Sequence, residues 1–250
     1  MKTFSLYSIF LVVASAFTIG APEASASENL CQAQLPFGRM PVYTNKSMME
    51  DTQTLCFQEF AVFYSGKTRT PLLVSEHLHP KRLELASQTK RQGEFYEERS
   101  LGDKASLLTD YRYSGYDRGH MAPSADMSSV ASQQQSFSLS NIVPQVGAQN
   151  SGPWLRVEKE VRNIARKEPV FVMTGVLFEG SPILFLQGRV AIPTSMYKVI
   201  YNPRTNEASA YLVDNKEDAE IVILDIVTLQ KRAQVNFGLP NPSRLHLNSL

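Results

Sequence analysis

The sequence has few of the residues that hold transition metals, with only two cysteines and four histidines among 250 residues. Structural zinc sites usually take four Cys or His ligands at characteristic close spacings. His77 and His79 are the only two histidines that lie close together, and their spacing is unlike those patterns. The sequence therefore disfavours a structural zinc site.

A strong excess of charge of either sign is also missing, because 25 basic and 24 acidic residues give a net charge of +1. This balance excludes the global basic field of many nucleic-acid binders, so any affinity for phosphate must come from a local patch. The basic candidates for such a patch are Lys81, Arg82, Lys90, Arg91, Arg156, Arg162, Arg166 and Lys167. Alone, such residues are usually solvated surface and identify no function.

Long hydrophobic runs are absent except near the N-terminus, where residues 7–20 are apolar and follow the basic Lys2. The small residues Ala24-Ser25-Ala26 come soon after this run and are typical of a signal-peptidase site. The run is short for a membrane span. We therefore expect a signal peptide over residues 1–26 and a mature protein that starts near Ser27. This protein would be exported to the periplasm or the medium and would not be bound to a membrane.

The two cysteines, Cys31 and Cys56, lie near the expected mature N-terminus. In an oxidising compartment we expect them to form a disulfide, which the loop-entropy model credits with roughly 3–3.5 kcal/mol. The alternative is a pair of unpaired, buried thiols.

The chain shows no internal repeat, no low-complexity tract and no linker, so residues 27–250 are expected to form a single domain. Patterns rich in β-forming residues predict strands over residues 57–64, 72–77, 170–178, 196–201 and 208–214. Helical spacing of apolar residues predicts a helix over 150–167, whereas 221–233 fits a strand or a helix. The stretch before Thr54 is predicted to be an irregular arm. This order of elements, without a βαβ rhythm, predicts an α+β fold.

The segment Asp117-Arg118-Gly119-His120 carries the most informative chemistry. Histidine can accept a proton near neutral pH without large tuning of its pKa, and here it follows a carboxylate and a guanidinium. The segment lies in a region rich in Gly and Pro, predicted to be a loop around a short strand. The alternative is a turn whose histidine is only hydrogen-bonded.

A second cluster of motifs follows: Ser-Asn-Ile-Val-Pro-Gln at 140–145, Asn-Ser-Gly-Pro-Trp at 150–154, and then Glu158. Together with residues 117–120, these motifs resemble the DNA/RNA non-specific endonucleases, which include endonuclease G and secreted bacterial sugar-non-specific nucleases. Further matches lie at residues 90–95, 174–175, 190–194 and 197–199. The resemblance covers most of the mature chain. It implies the ββα-metal (His-Me finger) fold, with a central antiparallel sheet and flanking helices.

The resemblance also implies roles for individual residues. His120 corresponds to the general base, and Asn150 to the only side chain that directly binds Mg²⁺, which Mn²⁺ can replace. Glu158 corresponds to a residue that contacts the metal through a water molecule. Asn141 corresponds to a residue that supports the site. On a regular helix Glu158 would lie about two turns, ~12 Å, beyond Asn150, which favours one direct and one water-mediated contact.

The family also clamps the phosphate with an arginine upstream of the histidine motif. Arg91 is the best match, with Arg82 as the alternative. Asp117, Arg118 and Gly119 belong to the motif itself, and we expect them to orient the loop and the histidine.

These features together predict an exported, Mg²⁺-dependent endonuclease that hydrolyses the phosphodiester bonds of DNA and RNA without marked sequence specificity. The resemblance implies products with 5′-phosphate and 3′-hydroxyl ends. One alternative is a non-catalytic nucleic-acid-binding or uptake protein on the same fold. The other is a nuclease toxin with a neutralising partner. The sequence itself specifies no protein partner.

Overall fold

The computed structural model describes Met1 and residues 31–250. Apart from Met1, the predicted signal peptide and the predicted start of the mature protein lie outside the described residues. In the described part of the chain, no helix is both long enough and apolar enough to cross a bilayer.

A large, almost entirely antiparallel sheet forms the centre of the molecule. Its strands are β2 Thr52–Cys56, β3 Ala61–Ser65, β4 Thr70–Leu78, β7 Val170–Leu177, β10 Ser195–Asn202, β11 Glu207–Asp214, β12 Ile221–Leu224 and β14 Ser243–Arg244. They lie in the spatial order β12-β11-β10-β7-β4-β3-β2, and β14 pairs in parallel with β11. The central strands are buried on both faces, because alternate side chains enter different apolar clusters.

Three pairs of short strands lie outside the sheet. They are β1 Val42–Tyr43 with β13 Val235–Asn236, β5 Asp117–His120 with β6 Ile142–Gln145, and β8 Phe185–Leu186 with β9 Val190–Ala191. The helices are α1 Lys46–Met49, α2 Pro80–Gln88, α3 Leu108–Tyr111, α4 Val130–Ser136, α5 Gly147–Gln149, α6 Leu155–Ala165 and α7 Ile226–Ala233.

Each face of the sheet is covered by one of the amphipathic helices. On one face, α6 buries Val157, Val161 and Ala165. On the other face, α7 buries Ile226 and Leu229. The hairpin of β5 and β6 leads into α5 and α6. These two strands and α6 therefore lie together on the same face of the sheet. The predicted α+β class with a central antiparallel sheet and flanking helices is therefore confirmed.

Several predicted elements agree with the structure. The strand predicted over 72–77 lies within β4, that over 170–178 corresponds to β7, and those over 196–201 and 208–214 form the hairpin of β10 and β11. The short strand expected within the Gly- and Pro-rich region is β5.

The prediction of a strand over 57–64 is wrong at its start, because β3 begins at Ala61. The amide of Phe57 donates to the carbonyl of Phe60 at 2.9 Å and the two rings stack, so this segment turns back on itself. The prediction of an irregular arm before Thr54 is also partly wrong. Polar residues at 52–54 belong to β2, which pairs with β3 at the end of the sheet.

The single regular helix predicted over 150–167 is likewise wrong. Residues 150–154 form a π-helical turn in which Gly152 departs from helical geometry and Pro153 lacks an amide donor, and α6 starts only at Leu155. The ~12 Å separation expected for a regular helix therefore does not apply here. The ambiguous segment 221–233 contains both predicted elements, because Asp225 ends β12 and caps α7 through the amide of Thr228.

The predicted disulfide between Cys31 and Cys56 is present, with an S–S distance of 2.04 Å and a Cα–Cα distance of 4.9 Å. The alternative of two unpaired thiols is therefore wrong. Cys31 packs with Leu35 and Ala61, so the bridge fastens the N-terminal segment to β3 at its junction with β2.

Candidate active site

The predicted site residues converge on a cleft of about 240 Å³ beside the hairpin of β5 and β6. We call it the basic cleft, and its polar walls are formed by Arg91, Arg118, His120, Asn150, Glu158 and Arg162. Asp117, Gly119 and Asn141 do not line the basic cleft but support the residues that do. Segments separated by more than 60 positions in the chain thus meet at one place.

His120 ends β5, and its ring is held by two aromatic side chains. The ring centroids lie 5.4 Å from Phe95 and 5.0 Å from Phe137, which meets His120 edge-on. Burial, with a smaller effect of the Arg91 charge, lowers the pKa of His120 to about 3. The imidazole is therefore neutral at pH 7 and can accept a proton. Among the described residues, its buried Nε2 atom has no hydrogen-bond partner.

The same two aromatic rings also position two arginines. The guanidinium of Arg118 lies 4.5 Å from the Phe95 centroid, and that of Arg91 lies 5.6 Å from the Phe137 centroid. Gly93 has a φ of 148° and approaches the Phe137 ring so closely that a Cβ atom would require the ring to shift. The segment 90–95 therefore supplies both a cation and part of the wall around His120.

Asn141 and Gly119 fix the backbone next to His120. The buried Asn141 amide accepts from the Ala122 amide and donates to the carbonyls of Ala122 and Ser136, each at 2.9 Å. A Cβ atom at Gly119 would collide with the Gln145 side chain across the hairpin. These contacts give both residues a positioning role that does not require contact with a substrate.

Asp117 orients the predicted metal ligand. Asn150 Nδ2 donates to Asp117 Oδ2 at 3.0 Å. A carboxylate only accepts hydrogen bonds, so this contact assigns the amide nitrogen to Asp117 and leaves Oδ1 for another partner. Among the described residues, no donor contacts this oxygen. Asp117 thus leaves the amide oxygen of Asn150 free, a contact that the sequence analysis did not identify, since it expected Asp117 to orient the loop and the histidine.

Glu158 lies on α6 and contributes a carboxylate to the basic cleft. Burial raises the pKa of Glu158 to about 7, although the positive charges of Lys198 and Arg162 act in the opposite direction. A further positive charge in the cleft would favour the ionised form.

These donors fit a hard divalent cation such as Mg²⁺. The basic cleft offers the Asn150 amide oxygen and the Glu158 carboxylate, which are oxygen ligands of the kind that Mg²⁺ prefers. Across residues 31–250, no group of three or more His, Cys, Asp or Glu side chains is placed to hold an ion. Mg²⁺ usually keeps several of its waters and needs few protein ligands, so this sparse set is sufficient.

The structure separates the two arginines proposed as the phosphate clamp. Arg91 is exposed and lines the basic cleft. Arg82 is only 4% exposed, and its guanidinium contacts Glu76 and the backbone carbonyls of Glu59, His77 and Asp126. Arg82 therefore forms a structural ion pair with Glu76 and is not available to a phosphate in the basic cleft.

Arg162 reaches the basic cleft from α6, and the sequence analysis placed it only among the basic candidates. Its Nη1 atom donates to Asp126 Oδ1 at 2.9 Å, and both side chains are largely buried. The sequence offered one indication that Arg162 belongs to the site. Arg162 follows Glu158 by one helical turn, which places both residues on one face of the helix.

The sequence analysis also missed a group of buried polar residues beneath the basic cleft. Lys198 on β10 is 1% exposed, and its Nζ atom donates to the carbonyl of Met121 at 3.0 Å and to Thr174 Oγ1 at 2.7 Å. Lys198 thus ties the residue after His120 to the central sheet. Glu76 on β4 is also buried, and burial raises its pKa, whereas the charges of Arg82 and Lys198 act in the opposite direction. Lys198 and Thr174 belong to motifs noted in the sequence. The sequence of their strands, however, does not indicate on which face of the sheet these two side chains lie.

Comparison with known proteins places the chain among nucleases. The model of the DNA/RNA non-specific endonuclease family matches residues 41–239. Nuclease C1 of Cunninghamella echinulata var. echinulata is 36% identical over 170 residues, which are 62% of this chain and 67% of that protein. Mitochondrial endonuclease G of Caenorhabditis elegans is 33% identical over 198 residues, which are 72% of this chain and 63% of that protein.

A solved structure supports the ββα-metal fold. The crystal structure of an EndoG/EndoGI complex aligns with a TM-score of 0.66 and 26% identity over 75% of this chain and 86% of that chain. The matched region spans about two thirds of the length of Nuclease C1 and of the nematode endonuclease G, at 67% and 63%. From the family match and the shared fold, we conclude that this chain belongs to the DNA/RNA non-specific endonuclease family.

Proposed function

We propose that the protein is an exported, Mg²⁺-dependent endonuclease that hydrolyses phosphodiester bonds of DNA and RNA with little sequence preference. The observation that carries this proposal is the convergence of His120, Asn150, Glu158 and Arg91 in the basic cleft. They combine a neutral base, oxygen ligands for a cation and a free guanidinium, which together meet the needs of phosphodiester hydrolysis.

His120 is the proton acceptor in this proposal. Its Nε2 atom is buried, which leaves Nδ1 as the nitrogen that can reach a water molecule in the basic cleft. The pKa of His120, lowered to about 3, keeps the imidazole in its neutral form before reaction. It therefore takes the proton of the attacking water as that water approaches phosphorus. Phe95 and Phe137 hold the ring in place and restrict access of bulk water to one side of it.

The cations of the basic cleft bind and orient the phosphate. Arg91 reaches it from the segment before β5, and Arg162 from α6. Asn150 Oδ1 and the Glu158 carboxylate would hold Mg²⁺, Glu158 through a water molecule, and Mn²⁺ can take its place. When bound, the metal supplies charge stabilisation for the phosphate oxygens and the leaving group. By resemblance to the family, the products end in 5′-phosphate and 3′-hydroxyl groups.

Low sequence selectivity is supported by the kinds of side chain in the basic cleft. Its arginines match the charge of the phosphate backbone, and contacts to phosphate carry no information about the base. Export is supported by the signal peptide predicted over 1–26 and by the disulfide, since such bridges persist in oxidising compartments. A non-catalytic binding protein is disfavoured because it would have no need of an oriented Asn150 beside an unprotonated His120.

The test is digestion of plasmid DNA and of RNA by the purified protein with Mg²⁺, with and without a chelator. We expect both substrates to be degraded, the chelator to stop degradation, and added Mg²⁺ to restore it. His120→Ala serves as the control for a contaminating nuclease. If the wild-type protein binds DNA but leaves it intact in Mg²⁺ and in Mn²⁺, the proposal fails in favour of a binding protein.

A further inference from the structure

A second pocket adjoins the basic cleft and continues it along α6. This side pocket has a volume of about 240 Å³, and it shares Arg91, Ser124, Ala125 and Arg162 with the basic cleft. Its far end is formed by Arg166 and by residues of α2 and the loop that follows it. A ligand that occupies the basic cleft can therefore extend into the side pocket without leaving the surface.

The charge of the side pocket is entirely positive. Arg91, Arg162 and Arg166 line it, and none of its lining residues is acidic. Arg166 is exposed, and its Nη1 atom contacts only a neutral partner, Asn163 Oδ1, at 3.1 Å. Neither Arg91 nor Arg166 forms a salt bridge with any residue in the described part of the chain. These two guanidiniums are therefore available to an anion.

The spacing of the cations follows α6. Arg162 and Arg166 are four residues apart, which corresponds to a rise of about 6 Å on one side of a helix. This rise is comparable to the distance between successive phosphates of an extended nucleic-acid strand. The hydroxyls of Ser87 and Thr89 already donate to carbonyls of α2, so recognition depends on the arginines.

We propose that the side pocket binds the phosphate next to the scissile one on the same strand, with Arg166 as its principal contact. This inference rests on the proposed nuclease function, since it assumes that the scissile phosphate occupies the basic cleft. Arg166 is then a binding residue for the flanking phosphate and takes no part in the chemical step. It makes the protein prefer substrates that carry at least two adjacent phosphates.

The test uses a thymidine dinucleotide with a single diester, with or without a terminal phosphate at its 5′ or 3′ end. In the wild-type protein, a terminal phosphate on one side should raise kcat/KM about tenfold, the effect of one hydrogen bond to a charged group. Arg166→Ala should lose this gain and cleave the dinucleotide without a terminal phosphate as the wild type does. Lys167→Ala, which removes a neighbouring charge outside the pocket, should keep the gain.

Long single-stranded DNA provides a second measurement that does not depend on dinucleotide cleavage. Arg166→Ala should make the plot of log kcat/KM against log salt shallower by about 0.7, the slope of one lost phosphate contact. Lys167→Ala should leave this slope unchanged. A terminal phosphate that gives no gain, a gain that survives Arg166→Ala, or an unchanged salt slope would each overturn the inference. Failure of the wild-type protein to cleave long DNA in Mg²⁺ would instead overturn the proposed function.

Discussion

The two faces of the central sheet bury different kinds of side chain. The face under α7 buries apolar residues such as Met173, Val199 and Leu229, and its buried polar side chains, Ser75 and Ser195, are uncharged. The face under α6 also has an apolar cluster, but Thr174 and Lys198 interrupt it at positions that alternation directs to that face. The interruptions lie beneath the basic cleft. Buried ionisable side chains such as Lys198 and Glu76 therefore distinguish the face of the sheet that carries the basic cleft.

This difference predicts that residues of the two faces affect different properties. Variants in the basic cleft should change the rate of hydrolysis more than stability, whereas changes on the other side should change stability more than the rate. Lys198 connects the two properties, because its buried side chain packs in the core and its Nζ atom holds the carbonyl of Met121, next to His120.

The largest expected effect is that of His120→Ala. Loss of the base should lower kcat by about 100-fold to 10,000-fold, the usual contribution of general acid–base catalysis. The chain should still fold, because the ring is only half-buried and contributes little to either main cluster. Plasmid cleavage and thermal unfolding, measured on the same preparation, provide the check. Activity within a few-fold of the wild type at neutral pH would rule out His120 as the base.

The disulfide tests the opposite expectation, a loss of stability without a loss of rate, because it lies at β3 and away from the basic cleft. Replacing both cysteines, as Cys31→Ser with Cys56→Ser, should lower the free energy of unfolding by roughly 3–3.5 kcal/mol. The rate of plasmid cleavage should stay that of the wild type at temperatures where the variant remains folded. Urea unfolding and cleavage assays would measure the two quantities. A large loss of rate in the folded variant would show that the two regions are coupled.

A smaller effect, on the pH dependence of stability, is expected from His77. Its ring stacks on that of Phe171, with 4.3 Å between the ring centroids. Burial first, then the charges of His79 and Arg82, lower the pKa of His77 from 6.5 to about 4. The unfolded chain therefore binds a proton that the folded chain excludes, and stability is lost as the pH falls from about 6.5 towards 4.

His77→Phe keeps an aromatic ring against Phe171 but cannot titrate. The decrease in the free energy of unfolding between pH 7 and pH 5 should thus be smaller in this variant than in the wild type. Urea unfolding at both pH values measures the difference. An equal decrease in both proteins would show that the His77 pKa is not lowered in the fold.

The sequence predicted the fold class, most strands and every side chain proposed to react, because these depend on local patterns and on motifs that resemble a family. It missed the turn at 57–60, where Phe57 and Phe60 have β-forming character but stack on each other. The π-helical turn before α6 was missed because the apolar spacing of that segment fits a regular helix.

Contacts between distant segments could not be predicted. The aromatic rings around His120 come from positions 95 and 137, and the pairing of Asp117 with Asn150 spans 33 residues. No periodicity encodes such pairings. The inward position of Glu76 was also hidden, because a strand buried on both faces shows no alternation to indicate which face a polar residue occupies.

The central claim is that the basic cleft divides its chemistry between a base, His120, and a metal held directly by Asn150. The most direct test is a Mg²⁺ titration of the nuclease rate for Asn150→Ala and Glu158→Gln, with Lys159→Ala as a control on the exposed side of α6. Asn150→Ala should lose most of its metal affinity and recover only partly with excess Mg²⁺. Glu158→Gln should lose about 10-fold to 100-fold, with a deficit that shrinks as Mg²⁺ rises. If Glu158→Gln is the more damaging change at saturating Mg²⁺, Glu158 is the direct ligand or a reacting group, and the division of roles is wrong.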